Sequence, residues 1–281
     1  IEAGFKYLIM SAAGSAMMLF SMSLIYGLTG SLNFAQVSLS LLKSTPSPVL
    51  YLTVALLVAG FSVKAAVAPF HFWLPDAHPA APSPISAMLS GVVIKTGVSA
   101  LIRTLYLFFT PSLVDFTMIM AILSVVTMTV GNIMALLQKD IKRLLAYSSI
   151  GQIGYIIVGI SLGTGLGFLG GMFHTFNHAI FKALLFLSIA SVEYQTGTRN
   201  LNQLGGLIKK MPVTFLGCVI GIAGLIGIPL TNGFVSKWLI YKSLFDTSNF
   251  FLLLFSLIGT WAAILYGYKI LHNIFLGQLP E

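Results

Sequence analysis

Charge is what this sequence has least of. Of its 281 residues only 8 % are Asp, Glu, Lys or Arg, and just 7 are acidic. A soluble domain needs about 25 % charged residues to wet its surface, so a soluble enzyme is excluded. A single cysteine, Cys218, excludes a disulfide framework and a multi-cysteine metal cluster. Walker loops, dinucleotide fingerprints and nucleophile elbows are also missing, so the chain is expected to bind no redox cofactor of its own. The net charge of +8 is not a nucleic-acid footprint, because the 15 basic residues are scattered through hydrophobic sequence. In a membrane protein such residues mark the cytoplasmic rim and a few intramembrane sites. The first residue is Ile1, not Met, and no signal peptide can be read from it.

What is present is apolar length. Hydrophobic residues make up 57 % of the chain, and 7–42, 116–138, 211–236 and 247–268 carry no charge. The run 144–181 is free of Asp, Glu, Lys and Arg and is broken only by His174 and His178. At roughly 20 residues per span the length allows about eight spans. Helices are expected at about 3–29, 48–70, 84–109, 113–137, 142–162, 166–194, 211–244 and 248–275. Such runs are too long for barrel strands, so the fold class is an all-α polytopic membrane protein embedded in a lipid bilayer. Prolines support the boundaries: Pro46 and Pro48 precede the second helix, and the four prolines of His71–Pro84 argue against continuous helix. The loops 138–143 (Lys139, Lys142, Arg143) and 195–210 (Arg199, Lys209, Lys210) fall on the same side as both termini. The positive-inside rule makes that side cytoplasmic, or the matrix in a mitochondrion.

Lysines inside spans carry the chemistry. Each costs about 2.5–3.5 kcal/mol on insertion scales and seldom persists without a role or a partner. Lys64 follows about 16 apolar residues, Lys95 lies near the middle of the third helix, and Lys237 sits eight residues beyond Pro229. The alternative, a side chain snorkelling to the headgroups, suffices for Lys6, Lys242 and Lys269 near helix ends. His174, His178 and Lys182 recur every four residues and share one helix face. Such a stripe is suited to relaying protons, or to making two interhelical hydrogen bonds. HTFNH has neither the acid nor the third ligand of a zinc site, and no metal is expected. In GIAGLIGIPLTNGFVSKW, Pro229 and its neighbouring glycines break the seventh helix beside Lys237, as Pro69 interrupts the second beside Lys64. A basic group beside exposed backbone suits a hydrated half-channel, whereas a plain proline kink is the simpler account. Asp140 is expected to cap the fifth helix and Glu193 to be solvent-exposed. Asp76 and His78 stand either at a channel mouth or in a solvated loop.

Phe5-Lys6 and Phe181-Lys182 open similar stretches, and Lys64 with Pro69 echoes Pro229 with Lys237 five helices away. An odd separation gives inverted repeats, an architecture of secondary transporters.

Longer motifs now carry a resemblance. KAAVAPFHFWLPDAHPAAPSPISAMLSGVVIKT (64–96), KRLLAYSSIGQIGY (142–155), FNHAIFKALLFL (176–187) and GIPLTNGFVSKW (227–238) resemble, in order and spacing, the antiporter-like subunits of respiratory complex I, Mrp-type Na+/H+ antiporters and membrane-bound hydrogenases and sulfane reductases. FNHAIFKALLFL and GFVSKW are most similar to the Mrp and hydrogenase branch. The resemblance spans essentially the whole chain. It implies two inverted five-helix units, each with a broken helix: a partial unit of three helices at 1–110 and a complete one of five at 111–281. It further implies that Lys64, Lys95, His174, His178, Lys182 and Lys237 transfer protons around the breaks at Pro69 and Pro229. In the family a glutamate on the helix before residue 1 pairs with the lysine matching Lys64, and Glu2 is not that glutamate. The expected function is a proton-translocating subunit, with Na+ coupling as a variant, in a respiratory complex of complex I or hydrogenase type. The expected partners are other membrane subunits, including homologous antiporter-like ones. Alternatives are a subunit of an Mrp-type antiporter, a shortened structural subunit without its own channel, and a stand-alone solute transporter.

Overall fold

The computed structural model describes residues 1–109 and 113–278. Twelve α-helices account for most of them: α1 Glu2–Thr29, α2 Phe34–Leu42, α3 Pro48–Ala65, α4 Leu74–Ala80, α5 Ser83–Met88, α6 Ile94–Phe108, α7 Thr117–Leu137, α8 Ile141–Ser161, α9 Gly165–Thr196, α10 Pro212–Ile226, α11 Asn232–Asp246 and α12 Phe250–Leu271. A five-residue π-helix, Leu89–Val93, joins α5 to α6, and a second, His272–Leu276, follows α12. Among the described residues seven segments are long and apolar enough to cross a membrane. The remaining expected span, 211–244, the seventh in order and read from the sequence as interrupted at Pro229, consists of two shorter helices, α10 and α11, separated at Gly227–Thr231.

Helix α8 is the axis. All its residues but Arg143 are buried, enclosed by α7, α9, α4, α11 and α12. Against α7 the two backbones nearly touch: a Cβ on Gly131 would fall 2.3 Å from the Gly151 nitrogen. Close approach through small residues is how membrane helices gain packing energy where lipid removes the hydrophobic drive. Outer faces are the reverse, with Leu8, Leu19 and Phe20 on α1 and Phe251, Leu254 and Trp261 on α12 exposed. The protein is an integral membrane protein.

One end of the bundle collects the charge. Asp140 caps α8, accepting the Arg143 N–H at 3.0 Å, as its position suggested. Loops 138–143 and 195–210 meet there, with Ile141 N–H on the Arg199 carbonyl at 3.1 Å and Leu201 N–H on that of Lys139 at 2.9 Å. Lys6 pairs with Glu2 at 2.7 Å and with Asp76 at 2.9 Å, and Asp76 also pairs with Arg143 at 3.2 Å. Lys269 donates to the carbonyls of Leu136 and Gln138, both at 2.7 Å, satisfying acceptors left free where α7 ends. At the other end Asp115 accepts the Thr117 N–H at 3.0 Å and also its hydroxyl, and these bonds hold its carboxyl below the usual carboxylate range.

Four expectations change. The second helix ends at Ala65, not at residue 70, with Ala66 in the left-handed region at φ 54°. The proline-rich segment is partly helical: prolines at N-terminal positions start α4 and α5 at no hydrogen-bond cost. Helix α2 occupies a stretch read as loop, started by Asn33, whose Oδ1 accepts the Ala35 N–H at 3.0 Å. Glu193 is not simply exposed. It pairs with the buried Lys142 at 2.9 Å and accepts the Ser83 hydroxyl at 2.6 Å.

Candidate functional site

Both helix breaks end in usable backbone. Helix α10 stops at Ile226, with Gly227 at φ +85° as its cap. The last carbonyls of a helix have no intrahelical partner. Those of Leu225 and Ile226 accept from Lys237 Nζ at 3.0 and 3.1 Å, and Thr260 Oγ1 lies at 3.5 Å. Lys237 reaches them because the first turn of α11 lies close against the last turns of α10, where a Cβ on Gly233 would lie 1.7 Å from the Gly224 oxygen. The amine also sits 4.5 Å above the centre of the Tyr155 ring, a cation–π contact. At the first break, Ala68 N–H donates to Thr127 Oγ1 at 3.1 Å, and Trp73 Nε1 donates to the Val63 carbonyl at 2.8 Å. Pro69 and Pro229 lie within these non-helical turns, a few residues beyond each helix end.

The expected stripe on α9 faces α8. His174, His178 and Lys182 are each fully buried. His174 shares hydrogen bonds with Ser236 Oγ at 2.8 Å and with Gln152 Oε1 at 3.0 Å. The His174 ring lies 5.9 Å from that of Tyr155 and 6.4 Å from the nearly parallel ring of His178. Both ring nitrogens of His178 lack a hydrogen-bond partner among the described residues. Lys182 donates to the Leu145 carbonyl at 3.0 Å and to Ser148 Oγ.

Lys95 joins the same seam through the π-helix. It is 7 % exposed, and its amine donates to the Ser90 carbonyl, which the widened turn presents. The Ser90 hydroxyl is bonded to that of Ser149 at 2.8 Å, next to the serine that holds Lys182. The seam therefore runs from Lys95 through Ser90, Ser149 and Ser148 to Lys182, then past His178 to His174, Tyr155 and Lys237. Every amine along it is held by carbonyls, hydroxyls or a ring face, and by no carboxylate among the described residues. Lys64 stands apart. It is half-buried at the end of α3, bonded to Ser11 Oγ at 3.1 Å, with Gly97 of α6 packed against its backbone. No cluster of three or more His, Cys, Asp or Glu side chains occurs among the described residues.

Several members of the seam escaped the sequence reading. Gln152, Tyr155, Ser148 and Ser149 come from α8, Ser90 from the π-helix and Thr260 from α12. Thr260 is the junction of three contacts: it meets Tyr155 OH at 2.8 Å, Tyr241 OH at 2.6 Å and the Lys237 amine. A signal existed on α8, where four polar residues recur at helical spacing inside the charge-free run 144–181.

Comparison with known proteins gives a consistent result. The family described as NADH:quinone oxidoreductase/Mrp antiporter, transmembrane, matches residues 1–262. NADH-quinone oxidoreductase subunit N of Desulforudis audaxviator is 34 % identical over 284 residues, covering 100 % of this chain and 56 % of that protein. Hydrogenase-4 component B of Escherichia coli is 37 % identical over 264 residues, covering 89 % of this chain and 38 % of that one. In the membrane-bound sulfane sulfur reductase, an archaeal respiratory membrane complex, a chain 38 % identical superposes with a TM-score of 0.94, over 99 % of this chain and 48 % of that one. The chain thus spans about half the length of the curated relatives it matches. These relatives are subunits of multisubunit membrane assemblies.

Proposed function

The chain belongs to the NADH:quinone oxidoreductase/Mrp antiporter transmembrane family, and from that premise we propose that it moves protons through the membrane interior along Lys95, Lys182, His178, His174 and Lys237. The observation that carries the reading is the seam itself: five buried ionisable side chains, four of them, Lys95, Lys182, His174 and Lys237, bonded to neutral groups, with the His178 ring lying between. A lysine locked to a carboxylate resists losing its proton. One held by carbonyls and hydroxyls can exist charged or neutral in one geometry.

In this proposal Lys64 is the input. A change of charge in an adjoining membrane subunit alters its protonation, and repulsion passes the change to Lys95 and onward. The energies are commensurate. Unit charges about 7 Å apart at an effective dielectric near 20 couple by roughly 2.4 kcal/mol. Carrying one charge through 100 mV takes about 2.3 kcal/mol. The two halves, 1–110 and 111–281, would act as inverted units, each centred on a broken helix. The basic end, with Lys139, Arg143 and Arg199, would face the cytoplasm or matrix of an energy-conserving membrane. The surrounding partners would be other membrane subunits, homologous ones among them, with Na+ as a coupled ion where the parent assembly is of Mrp type.

The test is Lys237→Ala in the assembled complex reconstituted into vesicles. Proton translocation is expected to collapse while the complex still assembles. Translocation at the unsubstituted rate would refute the proposal.

A further inference from the structure

His78 is a buried titratable group that the seam does not use. It lies in α4, on the chain returning from the first break, and is fully buried. Neither ring nitrogen has a hydrogen-bond partner among the described residues. A neutral imidazole always carries one N–H donor and one acceptor, and leaving such a group unmet costs about 1–3 kcal/mol. Buried polar atoms of this kind are ordinarily satisfied by ordered water, provided the site has polar neighbours.

Its location is specific. On α9 the four-residue repeat of His174, His178 and Lys182 continues with Phe186, and the His78 ring stacks on Phe186 at 4.6 Å with 16° between planes. His78 therefore supplies an ionisable ring where the α9 stripe has turned apolar, one helical turn beyond Lys182 towards the charged end. Still further along, Ile189 and Val192 are buried and apolar, and the next ionisable side chain of α9 is Glu193. The segment bearing His78 is anchored to that carboxylate's own partners. Lys142, paired with Glu193, donates to the Ala81 carbonyl at 3.2 Å, and Arg199 donates to that of Pro79. The Ser86 hydroxyl fixes the His78 carbonyl at 2.9 Å. The charges whose fields reach His78 are those of Lys182, Lys95 and Lys142.

We propose that His78 is a proton-transfer residue connecting the ion-paired rim at Glu193 with Lys182, so that the seam has a lead to the charged end of the bundle independent of Lys64. The inference rests on the proposed function above. In the step, one ring nitrogen takes the excess proton of a hydronium that enters from solvent at the Glu193 side, leaving water. The other nitrogen releases its proton towards a neutral Lys182 amine, leaving a charged lysine and the opposite tautomer of a neutral ring. A return proton shift through water resets the tautomer. An imidazole can accept at one edge and donate at the other without changing its net charge between cycles, and it is basic enough to hold the proton in between. A ring serving merely to fill space against Phe186 would need neither edge.

The test compares His78→Phe and Lys237→Ala with the unsubstituted complex in vesicles, reading proton translocation and assembled yield. Phenylalanine keeps the stack on Phe186 and removes both nitrogens. His78→Phe is expected to lower translocation on the order of a hundredfold with the complex still assembled, the lower end of the scale for losing a positioned proton carrier. Full translocation in His78→Phe together with collapse in Lys237→Ala overturns this inference and leaves the proposed function standing. Full translocation in both variants overturns both. Should His78→Phe fail to assemble, a high-resolution map of the unsubstituted complex decides. Water bonded to both ring nitrogens, in files leading to Lys182 and to Glu193, is expected. Nitrogens facing only carbon overturn the inference.

Discussion

The hydroxyls of Ser90 and Ser149 lie 2.8 Å apart and are the only direct side-chain bond seen among the described residues between the π-helix and α8. Through that contact the amines of Lys95 and Lys182, which come from helices nearly 90 residues apart in sequence, share neighbouring serines of one buried helix. Removing the Ser149 hydroxyl leaves the buried Ser90 oxygen without its partner, at about 1–3 kcal/mol, whereas Ser149 would keep its bond to the Leu145 carbonyl at 2.9 Å. Ser149→Ala is therefore expected to slow proton translocation several-fold and to lower the thermal midpoint of the complex. Because the two hydroxyls serve one contact, Ser90→Ala combined with Ser149→Ala should cost less than the sum of the singles. A double-variant cycle on vesicle translocation checks this.

Gln152 holds His174 from the α8 side at 3.0 Å while Ser236 holds it from α11. Gln152→Leu keeps the volume and removes the orienting amide. Translocation should fall by up to about a hundredfold, the lower end of what a positioned proton-transfer group contributes, with assembly unchanged. The imidazole signal of His174 in isotope-edited infrared spectra should shift in the same variant. An unaltered rate and spectrum would show that the amide serves packing alone.

How far the sequence foresaw this arrangement depends on the kind of signal. Charge-free runs placed the spans, because a charge in hydrocarbon is costly wherever it falls. Four-residue spacing put His174, His178 and Lys182 on one face, because helix geometry is local. The serines and Tyr155 of α8 were not legible as site residues, since Ser and Tyr are common in membrane helices and only the facing helix shows whether they meet a lysine. His78 was ambiguous for the same reason: a proline-rich loop reads as solvated until α9 is seen to cover it. Asn33 was a legible helix start that the absence of charge around it obscured.

Lys142 and Glu193 form a pair 2.9 Å apart whose lysine side chain is only 3 % exposed. Breaking such a pair from one side strands a charge. Glu193→Gln is thus expected to destabilise by about 3 kcal/mol, near the lower bound for buried pairs because Glu193 keeps some water contact. Replacing both partners with apolar residues, Lys142→Met with Glu193→Leu, should recover much of the loss. Thermal unfolding of the detergent-solubilised complex measures both.

At Gly131 there is no room for a side chain, because a Cβ would fall 2.3 Å from the backbone nitrogen of Gly151. Gly131→Val should push α7 from α8 and destabilise by about 1–3 kcal/mol, the usual range for overpacking. The same displacement would carry Thr127, on α7, away from the Ala68 N–H. Reduced assembled yield is expected, with the residual complex translocating slowly. A variant as abundant and stable as the unsubstituted protein would contradict the packing described.

The three hydrogen bonds of the Lys237 amine are unequal, at 3.0, 3.1 and 3.5 Å. An ammonium has three hydrogens to give and a neutral amine two. In the proposed function the pair of short bonds, both to the end of α10, would survive ionisation and neutralisation alike, and the hydrogen that departs would be the one aimed at Thr260. Loading and emptying this position need not disturb the break that creates it. On that reading the broken helix would act as a fixed socket with a single detachable hydrogen, its direction of departure set by which acceptor sits farthest away.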